Sequence, residues 1–128
     1  MADVNRGNRP LSPHLTIYKP QLNSMTSILS RITAVGLSLA IFLVVWWFLA
    51  LSTDAEYFAL ADGLLNSWIG GLIMIGSLWA LWYHTLAGIR HLYWDTGAGF
   101  DLEKVDRSSY FVIGGSVVLT LITLVAAF

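Results

Sequence analysis

Three stretches of this chain contain no Asp, Glu, Lys or Arg: residues 32–53, 63–89 and 108–128. A helix needs about 20 apolar residues to cross the hydrocarbon core of a bilayer, and each stretch is long enough to do so. Charged residues make up only 12% of the 128-residue sequence, roughly half the share in a soluble domain. Mean hydropathy is +0.67. A soluble bundle would have to bury three long uncharged helices within a small chain. The pattern predicts an all-α membrane protein with three transmembrane helices.

Lys and Arg fix the expected orientation. Arg6, Arg9, Lys19 and Arg31 precede the first span, and Arg90, Lys104 and Arg107 lie between the second and third. The first connection has Asp54, Glu56 and Asp62 but no basic residue. All seven basic residues thus fall on one side, which puts the N-terminus inside and the C-terminus outside. The expected division is an inner-side segment 1–26, a transmembrane helix 27–51 and an outer loop 52–62. A second transmembrane helix 63–91, an inner loop 92–107 and a third transmembrane helix 108–128 follow. Residues 1–26 have the helix breakers Pro10, Pro13 and Pro20 and no apolar core before a cleavage site, so the first helix is expected to act as its own insertion signal.

The second span ends in "LWYHTLAGIRHLYWD", residues 81–95. Arg90 is six residues beyond His84, roughly 9 Å along a helix at 1.5 Å per residue. His84 is therefore expected within the membrane and Arg90 near its interface. His91 lies about 20° round the helix from His84, and Gly88 removes a side chain from the same stripe. An ionisable residue within a membrane marks a functional site by default. A neutral imidazole there serves as a metal or haem-iron ligand, a proton carrier, or an interhelical hydrogen-bond partner, and spacing does not choose among these.

Geometry constrains the haem reading. His84 and His91 share one helix face and cannot bracket the same iron. His14 lies in the Pro-punctuated N-terminal segment, the chain has no Cys, and Met1, Met25 and Met74 are poorly placed. A bis-imidazole haem would need its second ligand from another subunit. Ser27 and Arg31, four residues apart at the start of the first span, form the other polar cluster. An arginine beside a hydroxyl there can hydrogen-bond a quinone carbonyl or a haem propionate, or act as a snorkelling anchor. The six tryptophans suit membrane interfaces and close packing, and those deep in the spans are expected to face lipid or other subunits rather than carry electrons. "GG" at 70–71 and 114–115, with Gly76 and Ser77, offers small surfaces for helix contact.

Three motifs in order, "RPLSPHLTIY" (9–18), "SILSR" (27–31) and "HTLAGIRHLYWD" (84–95), resemble the cytochrome b556 subunit family of succinate dehydrogenase, the larger membrane anchor of respiratory complex II. The similarity spans nearly the whole chain and looks like an alphaproteobacterial or mitochondrial form. The resemblance implies that His84 is an axial ligand of haem b, shared with a smaller anchor subunit that supplies the second ligand. It implies that Ser27, Ile28 and Arg31 line a ubiquinone site and that Arg31 also faces a haem propionate. Asp95 is implied as a quinone-side or proton-delivery residue and His91 as a further cofactor contact. The segment 9–18 is implied to pack against the iron–sulfur subunit. The family commonly has His immediately before the arginine, followed later by Thr-Gly; this chain has Ser30 and Thr33-Ala34. Propionate contacts must then shift to Arg31, a partner subunit or water.

The absence of Cys removes thiolate-ligated iron–sulfur clusters and disulfides. No Gly-rich dinucleotide fingerprint or room for a flavin domain exists, so FAD and the clusters belong to other subunits. The implied assembly has a flavoprotein, an iron–sulfur subunit, a smaller anchor and membrane lipid, with no nucleic acid. It would work in the electron transport of a bacterial cytoplasmic membrane or a mitochondrial inner membrane, and the chain alone would not be catalytic. Competing readings are a haem-free structural anchor, a fumarate reductase-type anchor, and a small transporter subunit with a path through His84 and Arg31.

Overall fold

The computed structural model describes residues 18–127. Four helices follow in order: α1 (Leu22–Leu51), α2 (Ala55–Leu65), α3 (Trp68–Asp95) and α4 (Leu102–Ala127). α1, α3 and α4 are each long and apolar enough to cross a membrane. They pack as a three-helix bundle, with α2 lying against α1 and α3 at one end. That end is acidic, and the opposite one carries Arg31, Arg90, Lys104 and Arg107 and is called the basic end below. Residues 1–17 and Phe128 fall outside the described residues, and with them His14 and all but Tyr18 of the motif at 9–18.

Burial runs opposite to the pattern of a water-soluble bundle. Large apolar side chains face outward, including Leu39, Phe42, Phe111 and Val125. The inside is made of small and hydroxyl-bearing residues: Ala50, Ala80, Ala87, Thr26, Thr33, Ser109, Ser116 and Thr120. Lipid tails are as apolar as leucine, so helices associate through close packing and hydrogen bonds. Several hydroxyls satisfy themselves on their own helix, as Thr33 Oγ1 does on the Leu29 carbonyl at 2.9 Å and Thr120 Oγ1 on that of Ser116 at 2.7 Å. Tyr83, Ala87 and Val112 form the apolar centre, with Leu29, Trp79 and Leu86 against them.

The connection expected as a loop at 52–62 is mostly α2. The Asp54 carboxylate accepts from the Tyr57 amide at 2.8 Å and caps the helix, with Glu56 in its first turn. Trp46 Nε1 donates to the Tyr57 hydroxyl at 2.8 Å and Trp47 Nε1 to Asp62 Oδ1 at 3.1 Å, which holds α2 on α1. Trp82 Nε1 bonds Thr123 Oγ1 across α3 and α4 at 2.9 Å. These three indoles therefore fasten helices within the chain, in keeping with a close-packing role. α2 meets α3 so closely that a Cβ at Gly70 would collide with the backbone carbonyls of Leu64 and Leu65.

The connection expected at 92–107 is also shorter. α3 continues to Asp95 and α4 already starts at Leu102, so only 96–101 is irregular. Ion pairs Asp101–Lys104 and Glu103–Arg107, both at 2.6 Å, favour a helical start beyond the uncharged stretch. The Lys104 ammonium holds the exposed Asp101 carboxyl below its usual range, by hydrogen bond and then by charge. Gly97, at φ +80°, turns the chain out of α3 in a conformation that L side chains rarely adopt.

Candidate functional site

At the basic end the last three turns of α3 meet the first turns of α1 and α4, and two distinct polar arrangements result. The first centres on His84. Its Nδ1 lies 3.1 Å from the backbone carbonyl oxygen of Ser30 on α1. A carbonyl oxygen only accepts, so Nδ1 carries the proton, and a neutral ring keeps its lone pair on Nε2. An imidazole that ligates a metal is usually oriented this way, by donating its other ring N–H to a carbonyl or carboxylate. The same Ser30 carbonyl accepts from Thr33 Oγ1 at 3.0 Å. Ser30 thus acts through its backbone.

The surface beside the half-buried His84 is open. A Cβ placed on Gly88, one turn further along α3, would meet no atom within 4 Å. On the other side, Gly36, Ala40, Gly76, Ser77 and Ala80 border a groove of about 300 Å³ between α1 and α3. Among the described residues no group of three or more His, Cys, Asp or Glu converges as a metal site. One imidazole whose Nε2 has no hydrogen-bond partner among the described residues is what this region offers a metal centre.

The second arrangement centres on Arg90, which the sequence places near the interface as one of the basic residues setting orientation. It is buried among the three long helices, with 5% of its surface exposed. Nη1 donates to Thr26 Oγ1 of α1 at 3.2 Å and to Ser109 Oγ of α4 at 3.0 Å. The guanidinium lies over the Trp94 ring, 4.7 Å from its centroid, a cation–π contact. Tyr83, also buried, donates its hydroxyl to the Thr26 carbonyl at 2.9 Å. These bonds tie all three long helices together at one level. No carboxylate lies within 4 Å of an Arg90 nitrogen among the described residues.

Asn23, Ser24 and Ser27 of α1, Arg90 and Trp94 of α3, Phe100 and Val105 line a groove of about 390 Å³. Ser27 therefore shares a site with Arg90 and Trp94, two residues that sequence reading did not select. The signal available was Arg90 and Trp94 four apart on one stripe of α3. Arg31 is exposed on α1 with no ion pair among the described residues. Ile28 and Asp95 are exposed, the latter as the last residue of α3. His91 is exposed and stands edge-on to Trp94, centroids 5.2 Å apart. None of these four lines the groove that Ser27 enters.

The chain's relatives narrow what such an arrangement serves. Residues 5–123 match the family model described as succinate dehydrogenase/fumarate reductase transmembrane subunit. The chain is 52% identical over 128 residues to the succinate dehydrogenase cytochrome b556 subunit of Paracoccus denitrificans, covering 100% of this chain and 98% of that protein. It is 42% identical over 114 residues to the subunit of the same name from Rickettsia conorii, covering 89% of each. It is 38% identical over 120 residues to the succinate dehydrogenase cytochrome b560 subunit of Reclinomonas americana, covering 90% of this chain and 83% of that one. With helices long and apolar enough to span a bilayer and full-length similarity to both bacterial and mitochondrial relatives, this chain is a membrane protein that belongs to the family of succinate dehydrogenase cytochrome b556 subunits.

Proposed function

We propose that this chain is the haem b-binding membrane anchor of a succinate:ubiquinone oxidoreductase. It holds the flavoprotein and iron–sulfur subunits at the basic end and contributes part of the ubiquinone-reduction site. The basic end faces the inside of a bacterial cytoplasmic membrane, the setting that corresponds to the mitochondrial inner membrane, and the C-terminus faces out. The observation that carries the haem reading is the bond from His84 Nδ1 to the Ser30 carbonyl, which leaves the Nε2 lone pair available for a ligand bond. The bare flank at Gly88 fits a flat macrocycle beside that nitrogen. Haem b supplies a one-electron redox centre when bound, and a smaller anchor subunit supplies its second imidazole.

Each residue of this chain then has a defined task. The Ser30 carbonyl fixes the His84 tautomer, and Thr33 holds that carbonyl in place. The exposed Arg31 guanidinium offers forked donors to a propionate or a quinone oxygen, in place of the histidine that relatives of this type commonly carry at position 30. Ser27 donates its hydroxyl to the quinone from one wall of the Arg90 groove. Ile28, exposed beside it, supplies apolar contact. Asp95, at the solvent-side end of α3, delivers protons, and His91 lies on the same stripe as a further polar contact towards the cofactor. Succinate oxidation takes place on the partner subunits, so the chain is not catalytic alone.

The complex purified through a tag on this chain tests the proposal. It is expected to retain flavin, oxidise succinate with ubiquinone-1 as acceptor, and show a b-type α-band in a reduced-minus-oxidised spectrum. An intact complex that reduces ubiquinone-1 without such a band would overturn the haem assignment.

A further inference from the structure

The Arg90 cluster has a feature that helix packing does not require. Moving a cation out of water costs several kcal/mol, and a buried arginine is ordinarily offset by an acid. Here two neutral hydroxyls and an indole face do that work, so no carboxylate among the described residues cancels the positive charge. Among the described residues two buried donors are also unpartnered, Arg90 Nε and Trp94 Nε1. Buried polar nitrogens are rarely left in this state unless a ligand or water completes them. Both residues line the groove that Ser27 enters, whose remaining walls include Phe100 and Val105. A flat ring with acceptor oxygens suits apolar walls and a floor of donors.

We infer that Arg90 and Trp94 are quinone-site residues, with the Trp94 indole N–H donating to a quinone oxygen and Arg90 supplying the charge that favours its reduction. This rests on the reading of Ser27 as part of the quinone site. Two electrons from the iron–sulfur subunit and two protons from the aqueous side convert quinone to quinol, so negative charge builds on the oxygens before protonation. An arginine fixed in advance by Thr26 and Ser109, and not neutralised by a carboxylate, acts on that charge without reorganising. Phe100, exposed in the 96–101 connection and stacked on Trp94 with centroids 6.2 Å apart, is the wall that gives way to the ring.

The test compares Trp94→Phe, Arg90→Gln, Arg90→Lys and Ser27→Ala in the assembled complex, with rates normalised to flavin content. Ubiquinone-1 is the varied substrate and a soluble dye the control acceptor. Trp94→Phe is expected to raise KM for ubiquinone-1 about five- to tenfold, the effect of one hydrogen bond of about 1 kcal/mol. Arg90→Gln is expected to lower kcat at least tenfold and Arg90→Lys to restore part of it, with dye reduction unchanged in all four. A purely structural clamp would change complex yield or thermal stability and leave KM and kcat per assembled complex at wild-type values; that result would overturn the inference. If Arg90→Gln fails to assemble, Trp94→Phe decides: a wild-type KM rejects the indole donor. Impaired Ser27→Ala with unaffected Trp94 and Arg90 variants would sink this inference alone. Unaffected Ser27→Ala would remove the reading on which it rests.

Discussion

Arg31→Ala is expected to lower ubiquinone reduction on the order of 10²-fold while succinate oxidation by a soluble dye continues at the wild-type rate. The size follows from losing one oriented donor where charge develops in a water-poor site. The split follows from the proposed division of labour, in which the succinate-oxidising centres lie on partner subunits and stay intact. Arg31 is exposed and unpaired among the described residues, so its removal breaks no ion pair among them. Steady-state rates with ubiquinone-1 and with dye on the same preparation check it. Equal loss of both activities would mean that Arg31 holds the assembly together instead.

The second large effect is structural. Gly70→Val is expected to destabilise the chain by about 3 kcal/mol, at the upper end of ordinary overpacking. A Cβ there runs into the Leu64 and Leu65 carbonyls, which are backbone at the end of α2 and cannot swing aside like a side chain. Relief requires α2 to lift from α3, straining the Trp46–Tyr57 and Trp47–Asp62 bonds that hold α2 to α1. Hydrogen exchange of the complex in detergent is expected to show faster exchange confined to 55–71. Gly71→Ala, where a Cβ meets open space, should leave exchange unchanged. Unaltered exchange in Gly70→Val would contradict the packing.

Charge spacing made the three long helices visible because a bilayer tolerates few ionised side chains, and the uncharged stretches mark where each helix can lie. α2 was hidden by the same rule: its acids read as a loop, although Asp54 before an apolar run with Glu56 in the first turn is a helix-start signal. His84 stood out as an imidazole in an apolar run, but its Ser30 partner is 54 residues away and is a backbone carbonyl, which no side-chain pattern reports. Arg90 was hidden for a related reason. Arginines near span ends usually reach for water, and the hydroxyls that bury this one lie 64 and 19 residues away on two other helices. Packing, not periodicity, makes this cation the junction of the bundle.

In the proposed function His84, and not its neighbour His91 on the same helix face, ligates haem b. A reduced-minus-oxidised visible spectrum of the purified complex, comparing wild type, His84→Leu and His91→Leu, tests it most directly. The b-type α-band is expected to be lost or shifted in assembled His84→Leu and unchanged in wavelength in His91→Leu, whose ring is exposed and edge-on to Trp94. A wild-type band in assembled His84→Leu would contradict the account.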